Sequence, residues 1–266
     1  MKSKTAVLVD FSNFCFACWY PAVSANKADA KYDTHAVFKN NIDGKLSTLF
    51  RTLNEVGTHD FVVYFVEDRK SLRKYTLWPT YKANRPPLEY DPRPEAKEYL
   101  RSKGYNHFVY SPDNEADDAI ATIAASVLED RDVVICSSDK DLWQLKRPGV
   151  DIWQLTKDRF VTDEMIVEEF GVSSPEYIPL VKALWGDRGD NVKNLVPRYQ
   201  KALLPLIEIS DGSLYDFERV VSLRKSELPS KCVALLTDNR SGIFINDSLV
   251  RLDTNCNIID RETQSS

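Results

Sequence analysis

The apolar positions of this chain fall into short continuous runs that alternate with stretches of helical spacing, and most of the runs end on an acid. TAVLVDF (5–11) reads as a strand covered on both faces, with Asp10 at its carboxyl end. Ile42, Leu46, Leu49, Phe50 and Leu53 recur at helical spacing over 42–56, and Gly57 is a stop. DFVVYFVED (60–68) is a second strand, closing on Asp68. PEAKEYLRSKG (94–104) predicts a helix opened by Pro94 and ended by Gly104, and NHFVYS (106–111) a strand. PDNEADDAIATIAASVLEDR then gives a strongly apolar helix whose first turn carries Glu115, Asp117 and Asp118. DVVICSSDKDLWQL (132–145) repeats the arrangement, with Asp139 and Asp141 after two small serines, and DIWQLT (151–156) is a further strand. Strands alternating with helices predict an α/β fold built on a doubly wound, mostly parallel sheet.

Two stretches break that alternation. RKSLRKYTLWPTYKANRPP (69–87) sets Arg69, Lys70, Arg73, Lys74, Lys82 and Arg85 among Leu72, Tyr75, Trp78 and Tyr81, an interleaving that suits nucleic-acid phosphates and bases as well as a plain solvated basic face. Its prolines, and the loop PPLEYDPRP (86–94), divide it into short pieces. Residues 173–208 predict a helix ending at Gly186, a polar turn with Asp187, Gly189, Asp190 and Asn191, and a second helix from about Pro197. Backbone N–H groups there, with Lys193, Arg198 and Lys201, suit duplex phosphates. Beyond 210 the pattern gives a helix, a loop and a few extended pieces, with no function assigned. The expected division is an α/β core over 1–172 that includes a basic segment at 69–104, a helical nucleic-acid-binding region over 173–210, and an extension over 211–266.

Composition narrows the class. At 266 residues and 43% hydrophobic content the chain can bury one substantial core. Its opening MKSKTAVLVDFSNF reads as a first strand, and no stretch approaches the roughly 20 apolar residues of a membrane span. A cytoplasmic protein, without membrane contact, is expected; for a phage-encoded chain this means the host cytoplasm. Five scattered cysteines argue against a disulfide framework, and the CxxC of Cys15 and Cys18 lies in an apolar helical context that favours packing. The net charge of −5 by itself disfavours polyanions, but nine acids account for it, and without them the remainder is +4.

Those nine are Asp10, Asp68, Glu115, Asp117, Asp118, Asp139, Asp141, Asp187 and Asp190. Singly, each has an ordinary reading: Asp10 as a helix cap, the EADD acids as partners of a helix dipole. Gathered, they would form a hard, oxygen-rich pocket whose like charges are tolerable only with cations. Such a pocket points to metal-assisted phosphodiester hydrolysis.

The segments LVDFSNF, the strand ending at Asp68, Arg73 followed by YKANRPP, EADD, SSDKDL and GDRGDN resemble, in order, the 5′-nuclease superfamily of flap endonucleases, phage 5′-to-3′ exonucleases and the 5′-nuclease domain of bacterial DNA polymerase I. The resemblance covers about residues 5 to 210. It implies a PIN-like core with a helix-three-turn-helix appendage. Asp10, Asp68, Glu115, Asp117 and Asp118 would be the ligands and outer-shell groups of one Mg²⁺, Asp139 and Asp141 would sit between two metal positions or bind the second, and Asp187 and Asp190 would complete it, with Mn²⁺ as a substitute. Lys82 and Arg85 match basic residues that approach the scissile phosphate at the base of a helical arch, and Arg73 and Tyr81 match contacts to the 5′ end. Lys193, Arg198 and Lys201 would grip the duplex. The family's glycine-rich stretch after the acidic turn is here KNLVPRY, which leaves a K⁺ site in doubt, and the short interval between Arg85 and Glu115 resembles members with a shorter arch.

The expected activity is cleavage at or near 5′ ends of duplex DNA, 5′ flaps or RNA·DNA hybrids, in replication and primer removal, with RNase H activity as an extension. A monomer is expected, and replication proteins are candidate partners. Two other readings stay open: a PIN-type single-strand ribonuclease, disfavoured by GDRGDN, and an inactive DNA-end or junction binder, disfavoured by the full set of acids. His35, His59 and His107 lie outside every motif and read as structural.

Overall fold

In the computed structural model, which describes residues 4–197 and 199–260, seven strands form one sheet in the order β6-β5-β4-β1-β2-β3-β7. The strands are β1 (Thr5–Asp10), β2 (Phe61–Glu67), β3 (Phe108–Tyr110), β4 (Val133–Cys136), β5 (Val150–Gln154), β6 (Arg159–Phe160) and β7 (Ile259–Asp260). The central five, β5-β4-β1-β2-β3, are parallel, and the short edge strands β6 and β7 pair antiparallel.

Because side chains alternate across a strand, a sheet covered on both faces needs an apolar residue at every position. β1 meets that demand: Ala6 and Leu8 enter one apolar core, Val7 and Val9 the other. The second core is closed by α1 (Phe11–Ala28), α2 (Thr34–Glu55) and α4 (Arg93–Ser102), through residues such as Phe14, Phe38, Leu49 and Leu100. Cys15 and Cys18 are fully buried there. The opposite face carries α5 (Ala116–Val127), where Ala116, Ala119, Ala121 and Ala124 let the helix lie close, with α6 (Asp163–Phe170) and α7 (Ile178–Trp185) beyond it. A six-residue helix, α3 (Leu72–Leu77), is all the regular structure between β2 and α4; no longer helix arches over this segment among the described residues.

The chain runs from β1 outward to β2 and β3, then returns to place β4 on the other side of β1. Loops leaving β1 and β4 therefore diverge and open a crevice beyond the strands' carboxyl ends, where ligands of open α/β sheets collect.

Two expectations need correction. The helix expected from about Pro197 begins later, as α8 (Gln200–Glu208). Residues beyond 210 are mainly helical: α9 (Leu214–Leu223), α10 (Ser230–Asp238) and α11 (Arg240–Val250), followed by β7. Phe217, Cys232, Ile243 and Leu252 share one core with α5 and α7, and Asn246 on α11 donates to the carbonyls of Ala183 and Lys193 at 2.9 Å each. Burial of those apolar faces, rather than local propensity, holds these short helices.

Candidate active site

All nine acids meet at the crevice in one connected network of charges. Asp10 ends β1 and caps α1, with Oδ1 accepting from the Asn13 amide at 3.0 Å and Oδ2 from the Ser137 hydroxyl at 2.9 Å. Asp68 follows β2 and accepts from the Ala116 amide at the start of α5, 3.0 Å away. Glu115, Asp117 and Asp118 open α5; Asp118 accepts from the Asp253 amide at 2.9 Å, which ties the chain's last described segment to the site. Asp139 and Asp141 follow β4, and Asp139 accepts from the Asp141 amide at 2.9 Å. In the turn after α7, Asp187 accepts from the Gly189 amide at 2.7 Å. Backbone N–H groups thus fix one oxygen of five of these carboxylates, and the other oxygen of Asp10, Asp118 and Asp187 meets Ser137, Lys74 and Lys182 respectively.

Four cations stand among them. Lys74 Nζ lies 3.0 Å from both Glu115 and Asp118, and Lys82 Nζ lies 2.5 Å from Glu115 and 3.7 Å from Asp190. Lys182 pairs with Asp141 and, at 2.6 Å, with Asp187. Arg85 reaches Asp190 at 2.6 Å. With ammonium groups drawing the acids apart into pairs, no three His, Cys, Asp or Glu side chains among the described residues form a ready metal-ligand group. Lys74 and Lys182 were not foreseen as site residues. A signal existed for Lys182, the only charged residue in the apolar helix IPLVKALW, since a charge inside such a helix is buried only with a partner.

The crowding shows in the acidities. Burial, with Asp139 and Asp68 adding repulsion, pushes the Asp10 carboxyl up to about 7. Burial first, then the Asp139 charge, raises Asp117 well above the usual carboxylate range, and burial raises Asp139 and Asp68. Glu115 and Asp187 go the other way: burial opposes their ionisation, but Lys74 and Lys82 outweigh it at Glu115 and Lys182 outweighs it at Asp187. The lysines therefore compensate one part of the cluster and leave Asp10, Asp117 and Asp139 short of positive charge. Hard oxygen donors in that condition fit a divalent cation.

The family model for the 5′-3′ exonuclease N-terminal resolvase-like domain matches residues 5–171. The chain belongs to that family. It is 28% identical over 207 residues to flap endonuclease Xni of Serratia proteamaculans, covering 74% of this chain and 77% of that one. It is 26% identical over 275 residues to the 5′-3′ exonuclease of Buchnera aphidicola subsp. Schizaphis graminum, covering 98% and 91%. The fold matches the T5 D15 protein co-crystallised with metal ions at a TM-score of 0.67 and 22% identity, over 94% of this chain and 90% of that one. A complex of bacteriophage T5 D15 flap endonuclease with DNA and metal ions matches at 0.65 and 21% identity, over the same shares. This member of the 5′-3′ exonuclease family is a nuclease.

The residues expected to touch substrate are placed unevenly in this family member. Lys82 and Arg85 reach the acid cluster, as described. Arg73 does not: it is exposed and donates to the Ser248 carbonyl at 2.7 Å, while its neighbour Lys74, 1% exposed, enters the crevice. The physical reason is helical geometry, since adjacent residues of α3 point about 100° apart and only one can face inward. Tyr81 is 2% exposed, its hydroxyl 2.7 Å from Asp190 Oδ2 and 3.0 Å from Glu115 Oε2, so it bridges two acids instead of presenting a face to a 5′ end. Lys193 is exposed beside the Trp78 ring, 5.2 Å from its centre, and Lys201 is exposed in the first turn of α8. Arg198 lies outside the described residues. Among the described residues no helix is long and apolar enough to cross a membrane.

Proposed function

We propose that this chain is a divalent-metal-dependent 5′ nuclease, hydrolysing phosphodiester bonds at or near the 5′ ends of duplex DNA, 5′ flaps or RNA·DNA hybrids. The observation that carries the reading is the convergence of nine carboxylates from separate segments on the crevice between the loops of β1 and β4, only partly compensated by lysines. The T5 D15 structures with metal ions and with DNA give the reading independent support.

Two cation positions belong to this reading, and to bind at them the side chains would have to regroup, since as they stand no three of them among the described residues form a ready ligand set. Asp10, Asp68, Glu115, Asp117 and Asp118 would hold one ion, and Asp139, Asp141, Asp187 and Asp190 the other, with Mg²⁺ as the expected metal and Mn²⁺ as a substitute. Divalent ions there supply Lewis acidity toward a phosphoryl oxygen and a water of lowered pKa. The chain's own residues do the rest. Lys82 and Arg85, both tied to Asp190, stand where a phosphate at the acids would meet them, and their charges offset the negative charge that grows on the phosphoryl oxygens. Lys182, shared by Asp141 and Asp187, holds those two acids together, and they would be the ones to face a cation at that position. Exposed Lys193 and Lys201, together with Arg198, form the duplex grip. The role in replication and primer removal, RNase H activity, action as a monomer and association with replication proteins belong to the same proposal.

Asp139→Asn and Asp117→Asn test it. Each removes a carboxylate that burial and a like charge already hold against ionisation, so each should nearly abolish cleavage while leaving the circular dichroism spectrum and DNA binding close to wild type. Wild-type turnover by both variants would remove the metal assignment.

A further inference from the structure

Lys82 and Asn191 both carry left-handed backbone, with φ of 55° and 58°. Asparagine adopts this region with some ease, whereas a lysine does so only where its surroundings hold it. Three hydrogen bonds to backbone carbonyls link the two segments, beside the Tyr81 hydroxyl and Lys82 ammonium contacts to the Asp190 carboxylate, and they run in both directions. The Lys82 amide donates to the Asp190 carbonyl at 3.1 Å. Asn84 Nδ2 donates to the Arg188 carbonyl at 2.7 Å, and Asn191 Nδ2 returns a donation to the Thr80 carbonyl at 2.8 Å. The Thr80 carbonyl also accepts from the Ala83 amide at 3.1 Å, which closes the turn around Lys82. These bonds hold the Lys82 backbone against the acidic turn, beside the Tyr81 and Arg85 contacts to Asp190, and so set where the chain presents its ammonium to Glu115 and Asp190.

We propose that Asn84 and Asn191 are positioning residues that clamp the 80–84 turn to the 187–192 turn and so fix the Lys82 ammonium at the acid cluster. The proposal rests on the reading of Lys82 as the cation beside the scissile phosphate. It assigns the two asparagines no contact with substrate. It also makes the acidic turn and the basic segment a single unit.

Two variants separate the clamp from general folding. Asn84→Ala removes an exposed side chain, and Asn191→Gly removes the amide while tolerating positive φ. In single-turnover cleavage of a 5′-flap duplex, each variant should be slower by about tenfold or more, since small misplacements of a reacting group cost that much, with the DNA dissociation constant within about twofold of wild type. Adding either change to Lys82→Ala should slow that variant no further, because the clamp acts through a side chain already gone. Losses that multiply with that of Lys82→Ala, or wild-type rates in both variants, would overturn the proposal. Amide exchange of the free, metal-free protein gives a readout independent of activity. Both variants should lose protection at the Lys82 N–H, and unchanged protection overturns the clamp. If wild-type protein cleaves none of the substrates, the functional reading fails, and the exchange result alone decides the clamp.

Discussion

Asp10 is both a helix cap and a member of the acid cluster, and its environment sets a measurable pH dependence. Its folded pKa, about 7, stands above the ordinary 3.8, so between those values the folded chain holds a proton that the unfolded chain has released. Its contribution to stability therefore falls as pH rises through that window. Asp68, Asp117 and Asp139 shift in the same direction, whereas Glu115 and Asp187 are held down by lysines and favour the fold above their ordinary pKa. A divalent cation needs the raised group ionised and removes the cost of ionising it. The expected outcome is that MgCl₂ raises the thermal midpoint more at pH 8 than at pH 5, measured by scanning calorimetry. An equal rise at both pH values would contradict this account of the cluster. The acids were legible in the sequence because each ends an apolar run or opens a helix. The cations were less so: in SLRKY the choice between Arg73 and Lys74 depends on which face of a six-residue helix turns inward, and six residues set no face by periodicity alone.

The turn between α7 and α8 positions two of the acids, and Gly186 makes it possible. Its φ is +75°, and an added Cβ would lie 2.5 Å from the Val192 carbonyl oxygen and 2.6 Å from the Lys193 carbonyl carbon. This stretch of backbone, which also brings the Asn194 nitrogen to 2.7 Å, cannot move aside as a flexible side chain can. Gly186→Ala should cost about 3 kcal/mol or more and weaken metal binding with it, as urea denaturation and a Mg²⁺ titration would show. A variant with wild-type midpoint would place the turn elsewhere. This turn was readable because Gly186 and the GDRGDN acids interrupt a clear apolar helix. The last helices were not. In GIFINDSLV the compact run of Ile243, Phe244 and Ile245, residue types that suit strands, reads as extended, yet Ile243, Asn246, Leu249 and Val250 bury one helical face. What decides the matter is the surface of α7 that those residues cover, and local sequence carries no sign of it.

Across the whole molecule, an acidic protein that handles nucleic acid is consistent once its charges are divided by place. The net charge is −5, and the nine acids and four cations gathered at one crevice account for all of it, so the rest of the chain is neutral overall and cations bound at the crevice would remove the net repulsion toward a polyanion. The parallel sheet was readable from runs of apolar residues long enough to be covered on both faces, but the strand order that opens the crevice was not. The side-chain pairings within it depend on contacts between residues far apart in sequence, such as Lys74 with Asp118 and Lys182 with Asp141. Those contacts form only once the fold exists. The most direct test of the account is a time course in Mg²⁺, with EDTA as control, on 5′-labelled and 3′-labelled strands presented as a 5′ flap, a recessed or blunt duplex, an RNA·DNA hybrid and bare single strands. Short products released from 5′ ends of duplexes, flaps or hybrids, and lost in EDTA, are the predicted result; cleavage confined to single-stranded RNA, or tight binding without any cleavage, would contradict it.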